Sequence, residues 1–105
     1  MATNRLDILK QLLAQDPSNS FARYGLAMEY SKSGELKEAV KEFKSLIASD
    51  STYVAAYYHG GQALEKLGDI DAARAIYQQG MAASSKKGDL HTLGEIEAAL
   101  NLLPI

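Results

Sequence analysis

The sequence predicts an all-α fold of six antiparallel helices, and three observations predict it. Prolines stand only at Pro17 and Pro104, so the long stretch between them holds no residue that forces a helix to break. Alternation of apolar and polar residues, the mark of a strand, is nowhere sustained. Apolar residues instead recur at helical spacing through most of the chain, between short turn-forming clusters. At 105 residues, 47% of them apolar and 23% charged, a single domain over residues 1–105 with one shared core is expected.

The helices are expected near residues 3–15, 19–32, 36–49, 52–66, 70–86 and 89–103. The first carries apolar residues on more than one side, with Ile8 and Leu12 added to the rest of its stripe. Arg5, Asp7 and Lys10 lie among its leucines, which is unlike a signal peptide or a membrane span. A soluble, cytoplasmic protein without membrane association is the expectation. Asp16-Pro17-Ser18-Asn19 closes this helix, with Asn19 placed to cap the second.

Gly34 ends the second helix where a left-handed residue would close it, and Gly68 does the same for the fourth. Each is followed by an acidic residue, Glu35 or Asp69, at the start of the next helix. In the third helix Leu36, Ala39, Val40, Phe43, Leu46 and Ile47 form one stripe that must face a core. Lys37, Glu38, Lys41, Glu42 and Lys44 fill the other side as a solvated face. Asp50-Ser51-Thr52 breaks the chain before the fourth helix, with Ser51 as the expected N-cap.

Gly60-Gly61 and Gly80 fall inside helices four and five. Each glycine there costs about 1 kcal/mol relative to alanine unless close packing or a bend offsets it. Lys87-Gly88-Asp89 separates the last two helices, with Asp89 as an N-cap. The sixth helix carries the stripe Leu90, Leu93, Ile96, Leu100 and Leu103, ended by Pro104.

A net charge of −2, from 11 basic and 13 acidic residues spread along the chain, leaves no basic stripe for a phosphate backbone, so nucleic acid is not an expected partner. Lys86-Lys87 at a helix end matches the helix dipole. No cysteine is present, which removes disulfides, thiolate metal sites and cysteine nucleophiles. His59 and His91 lie in different helices without acidic residues at ligand spacing, and no phosphate-binding loop, dinucleotide fingerprint or nucleophile elbow occurs. Glu95 and Glu97 point to different helix sides and form no acid and base pair. No metal, cofactor or catalytic residue is expected.

The chain also repeats itself. Shifted by 34 residues, Gly34 falls on Gly68, Ala39 on Ala73 and Phe43 on Tyr77, while Ala22, Tyr24, Lys32 and Ala48 fall on Ala56, Tyr58, Lys66 and Ala82. The same shift carries Leu9, Leu12, Leu13, Ala14 and Asp16 onto Phe43, Leu46, Ile47, Ala48 and Asp50. Glycine turns, aromatic positions and chain breaks thus share one register.

On these residues the chain resembles the tetratricopeptide repeat family, whose unit is a pair of antiparallel helices, A and B. The second copy, Val54–Lys87, matches the motif with Tyr57, Gly61, Leu64, Gly68, Ala73 and Tyr77. The first, Ser20–Tyr53, matches with Leu26, Ala27, Tyr30, Gly34, Ala39 and Phe43, but Arg23 stands where the motif opens on an aromatic residue. Residues 3–16 resemble helix B of an incomplete earlier repeat. The helix at 89–103 departs from the motif and reads as a cap for the array. Ser51 replaces the proline common at the repeat's end, whereas Pro17 retains it.

The resemblance implies an α-α superhelix, a right-handed solenoid whose helices A line a concave surface. It further implies a protein or peptide partner there, met by Phe21, Tyr24, Met28, Lys32, Ala55, Tyr58, His59, Gln62 and Glu65. Some family members clamp the C-terminal carboxylate of chaperone tails with lysine and asparagine, but Tyr24, Met28 and His59 stand at the corresponding places here. Binding of acidic chaperone tails is not expected. The alternative is a self-associating module, a homodimer in which Ile8 and Leu12 meet a second copy.

Overall fold

The computed structural model describes residues 4–104. Its elements are α1 (Arg5–Gln15), α2 (Ser20–Lys32), α3 (Leu36–Ser49), α4 (Val54–Lys66), α5 (Ile70–Lys87) and α6 (Leu90–Asn101). No strand occurs among the described residues. The expectation that the first helix begins at residue 3 lies outside them.

Helix boundaries follow from local chemistry. Asn19 accepts the Ala22 N–H at 3.0 Å and Asp89 accepts the Thr92 N–H at 3.0 Å, so both act as the expected caps. Asp69 caps α5 likewise. Ser51 does not cap α4, which starts later than expected, at Val54, after Tyr53. Asp50 takes the polar role instead: its carboxylate accepts the Thr52 hydroxyl at 2.7 Å and N–H at 3.3 Å, and the Ser20 hydroxyl at 3.1 Å. An aspartate that bonds two residues ahead builds its own turn, which delays the helix. Asp16 repeats the arrangement one unit earlier, accepting the Ser18 hydroxyl at 2.7 Å and its N–H at 3.2 Å.

Gly34 and Gly68 share φ of 84°, a value that L side chains rarely adopt. After each, the next N–H reaches back across the turn: Glu35 to the Tyr30 carbonyl at 2.8 Å, and Asp69 to the Leu64 carbonyl at 3.0 Å. These closures satisfy carbonyls that the helix ends would leave open.

The glycines inside helices have a different cause. A Cβ on Gly61 would lie 2.1 Å from the Tyr77 ring, and one on Gly80 would lie 2.6 Å from Tyr57 Cβ and 2.9 Å from Ile96. At Gly60 the nearest atoms, from Ile76 and Phe43, would be 3.2 and 3.3 Å away. Close packing of neighbouring helices therefore offsets the intrinsic cost of glycine in α4 and α5.

Helices α2 to α6 share one core, with Phe43, Leu46, Tyr77 and Ile96 fully buried and Ala27, Ala39, Ala56 and Ala73 between them. Leu9 and Leu13 of α1 form a smaller cluster with Ala22 and Leu26 of α2. Arg23 occupies the position that Tyr57 holds one repeat later, and it does the same work. Its guanidinium donates to the Pro17 carbonyl at 3.2 Å, as the Tyr57 hydroxyl donates to the Ser51 carbonyl at 2.8 Å, and Pro17 and Ser51 are themselves repeat-equivalent. Arg23 adds an ion pair with Glu42 at 2.7 Å, both side chains largely covered.

Successive helices pack as antiparallel pairs, but the two layers differ. Among the described residues α2 touches α4 and α4 touches α6, whereas α1, α3 and α5 touch only the helices of the other layer. A stack whose members meet on one side and splay on the other must curve toward the side that meets. The result is an all-α superhelix, elongated at 47 × 28 × 19 Å, with α2, α4 and α6 along its concave face.

Candidate functional site

The concave face is built on an aromatic floor. Tyr24 of α2 lies 5.1 Å from Tyr53, 5.9 Å from His59 and 6.3 Å from Phe43, measured between ring centroids, and His59 lies 5.1 Å from Tyr58. The steeply inclined rings are edge-to-face contacts that fix the side chains with little freedom left to lose. Tyr24, Tyr58 and His59 are half-buried, so each keeps some surface open to solvent.

Burial sets the protonation of this floor. It raises the Tyr24 phenol above its ordinary value, and the nearby Tyr53 and Glu95 act in the same direction. It lowers His59, with the Gln62 side chain and the Glu95 carboxylate opposing. His59 is therefore neutral at neutral pH.

Between α4 and α6 the face deepens into a hollow of about 430 Å³ lined by Tyr58, Gln62, Glu65, Glu95, Ala98, Ala99 and Leu102. Three of the nine residues nominated from sequence meet there: Tyr58, Gln62 and Glu65. Glu65 also carries a structural duty, since its carboxylate accepts the hydroxyl of the buried Tyr77. Tyr24 and His59 form the floor beside the hollow. Ala55 is half-buried at the start of α4, Lys32 is exposed at the end of α2, and Phe21 stands out from α2 at 70% exposure. Met28 packs against the main core.

Sequence reasoning misses the contribution of α6, because its departure from the motif marks it only as a cap. Glu95, Ala98, Ala99 and Leu102 form the far wall of the hollow. A usable signal was present: a helix that follows a helix B takes the position of a helix A, whatever its own motif, and so reaches the concave face. Its apolar stripe is also only partly inward, because Ile96 and Leu103 are buried whereas Leu90 is 74% exposed.

A family model for the tetratricopeptide repeat matches residues 6–64 and again residues 30–94. The chain belongs to the tetratricopeptide repeat family. A TPR repeat-containing protein of Pseudomonas aeruginosa is 28% identical over 95 residues, 90% of each chain. The solution structure of a tetratricopeptide repeat domain protein from Salinibacter ruber is 35% identical, with a TM-score of 0.76 over 81% of this chain and 86% of that one. The TPR2B domain of yeast Sti1, solved in a complex with pHsp70, shares the fold at 14% identity, with a TM-score of 0.86 over 91% of this chain and 77% of that one. The tetratricopeptide repeat fold is a scaffold for protein–protein interaction, and its curvature is what supplies the binding surface. No helix among the described residues is long and apolar enough to cross a membrane.

Proposed function

We propose that this tetratricopeptide repeat protein holds a peptide or partner helix on its concave face, in the cytoplasm and without catalysing a reaction. The observation that carries this reading is the continuous inner layer of α2, α4 and α6, with half-buried Tyr24, Tyr58 and His59 along its floor. Aromatic side chains offer large contact area with few rotamers to freeze, and Met28 adds an adaptable surface. Phe21, Lys32, Ala55, Gln62 and Glu65 complete the surface. In this reading residues 3–16 are a half repeat, 20–53 and 54–87 are the two full repeats, and 89–103 both caps the array and widens the groove. The aromatic residues at the clamp positions disfavour acidic chaperone tails.

The test compares proteins captured by the parent chain with those captured by the Tyr24→Ala, Tyr58→Ala double variant, with helicity of both verified by circular dichroism. Loss of specific partners from the variant supports the concave face. An unchanged partner set refutes it.

A second reading, self-association through α1, is favoured by Ile8 and Leu12, which are 46% and 40% exposed while Leu9 and Leu13 of the same helix are buried. Light scattering that finds only monomer at high concentration eliminates it.

A further inference from the structure

The lining of the hollow between α4 and α6 joins an apolar stretch to an acidic one. Ala98, Ala99 and Leu102 give it an apolar wall, and Leu102 is 84% exposed, an uncovered aliphatic group at the rim. Across from them stand Tyr58, Gln62 and the Glu65 carboxylate of α4, while Glu95 lies on the α6 side one turn before Ala98; among the described residues Glu65 and Glu95 are the only charged groups in the lining.

Nearby cations do not cancel that charge. Lys66 is exposed and lines a smaller adjoining recess with Gln62 and Glu65, outside the hollow itself. His91 approaches Glu95 at 3.5 Å, but its side chain is 87% exposed, and a pair so open to water binds weakly. Glu65 accepts the Tyr77 hydroxyl, yet an ionised carboxylate has about four acceptor positions, so most remain free. His59 is neutral, for the reason given above.

We propose that this hollow seats a lysine or arginine side chain of the partner peptide. Its aliphatic stem lies along Ala98, Ala99 and Leu102, and its cationic head sits between Glu65 and Glu95 beside the Tyr58 ring. Long basic side chains bury their stems while keeping their heads in polar surroundings, which matches a lining part apolar and part acidic. The ring face and the carboxylates both favour a cation, the latter through charge-assisted hydrogen bonds. An apolar side chain in the same place would desolvate Glu95 without a partner, and an acidic one would meet like charge. The proposal rests on the concave-face reading and narrows it to basic peptides.

The experiment selects short random phage-displayed peptides on the immobilised full chain. Fluorescence anisotropy then measures the selected peptides against the parent, Glu95→Gln, Glu95→Lys and the Tyr24→Ala, Tyr58→Ala double variant. Glu95 is exposed and its ion pair with His91 is weak, so its variants are expected to retain the fold. Tyr58→Ala alone replaces the double variant if that one loses helicity. The expected result is enrichment of lysine or arginine next to an apolar residue. Affinity falls about tenfold in Glu95→Gln, as for loss of one charge-assisted bond, and further in Glu95→Lys. Replacing the basic residue by norleucine weakens binding to the parent far more than to Glu95→Gln.

Peptides that need the tyrosines but show no basic enrichment, and that ignore Glu95→Lys, overturn the cation seat and leave the concave-face reading standing. Peptides indifferent to the tyrosines, or no selected binders at all, overturn both.

Discussion

At the scale of single residues, the interior of the helix pair is decided by what is absent from position 61. Tyr77 is fully buried and its hydroxyl is held by Glu65, so its ring has no room to swing aside. Gly61→Ala is therefore expected to destabilise the protein by about 1–3 kcal/mol through overpacking, read as a lower midpoint in urea. His59 makes a second residue-scale prediction. Its folded pKa lies below the ordinary 6.5, so at pH values between the two the unfolded chain binds more protons than the folded one. Stability is then complete above about pH 6.5 and declines as the pH falls through the folded value. Gln62 on its own helix and Glu95 on α6 soften this decline, and Tyr24 of α2 packs against the ring. Melting temperatures measured from neutral pH to about pH 5 should fall for the parent and stay flatter for His59→Gln. Asp50 and Asp89, whose pKa values are lowered by their bonds to Thr52 and Thr92, weaken the fold only below about pH 3.8.

At the scale of elements, the span of α3 and the left-handed turns at Gly34 and Gly68 were legible because each rests on one strong local signal. The start of α4 was not. Ser51 has the right chemistry for a cap, but the neighbouring Asp50 reaches forward first, and two competing hydrogen bonders cannot be ranked from their order alone. Replacing the two supposed caps tests this difference. Asn19→Ala should cost about 1 kcal/mol in chemical denaturation, while Ser51→Ala should leave stability within about 0.5 kcal/mol of the parent. The place of α6 was hidden for another reason: its motif departs from the repeat, although its position in the alternation does not. At Gly60 and Gly80 the choice between close packing and a bend was likewise unreadable in advance, because it depends on which side chains arrive from other helices.

At the scale of the whole molecule, stability is unevenly distributed. The core that runs from α2 to α6 is continuous, whereas among the described residues α1 is held by one small cluster, the ion pair of Arg5 with Glu29 at 3.0 Å and the Lys10 ammonium over the Tyr30 ring. In a linear stack the terminal unit has a neighbour on one side only, so it opens at lower free energy than the middle. Native-state hydrogen exchange should show α1 amides exchanging through local opening while those of α4 and α5 require global unfolding; equal protection would contradict that gradient. The superhelix and its concave face were implied by the family resemblance that the repeat register carries. Of the nominated residues Tyr58, Gln62 and Glu65 line the hollow while Met28 packs against the core, because a motif fixes which helix faces inward and leaves open how deep each side chain sits.

The bond from Tyr77 to Glu65 crosses from the outer layer of helices to the inner one. Whatever grips Glu65 from outside also tugs on a ring locked in the protein's middle, so guest and host interior share a lever. A tenant in the cleft would thereby stiffen the ring one bond beneath it, and slack introduced around that ring would loosen the grip.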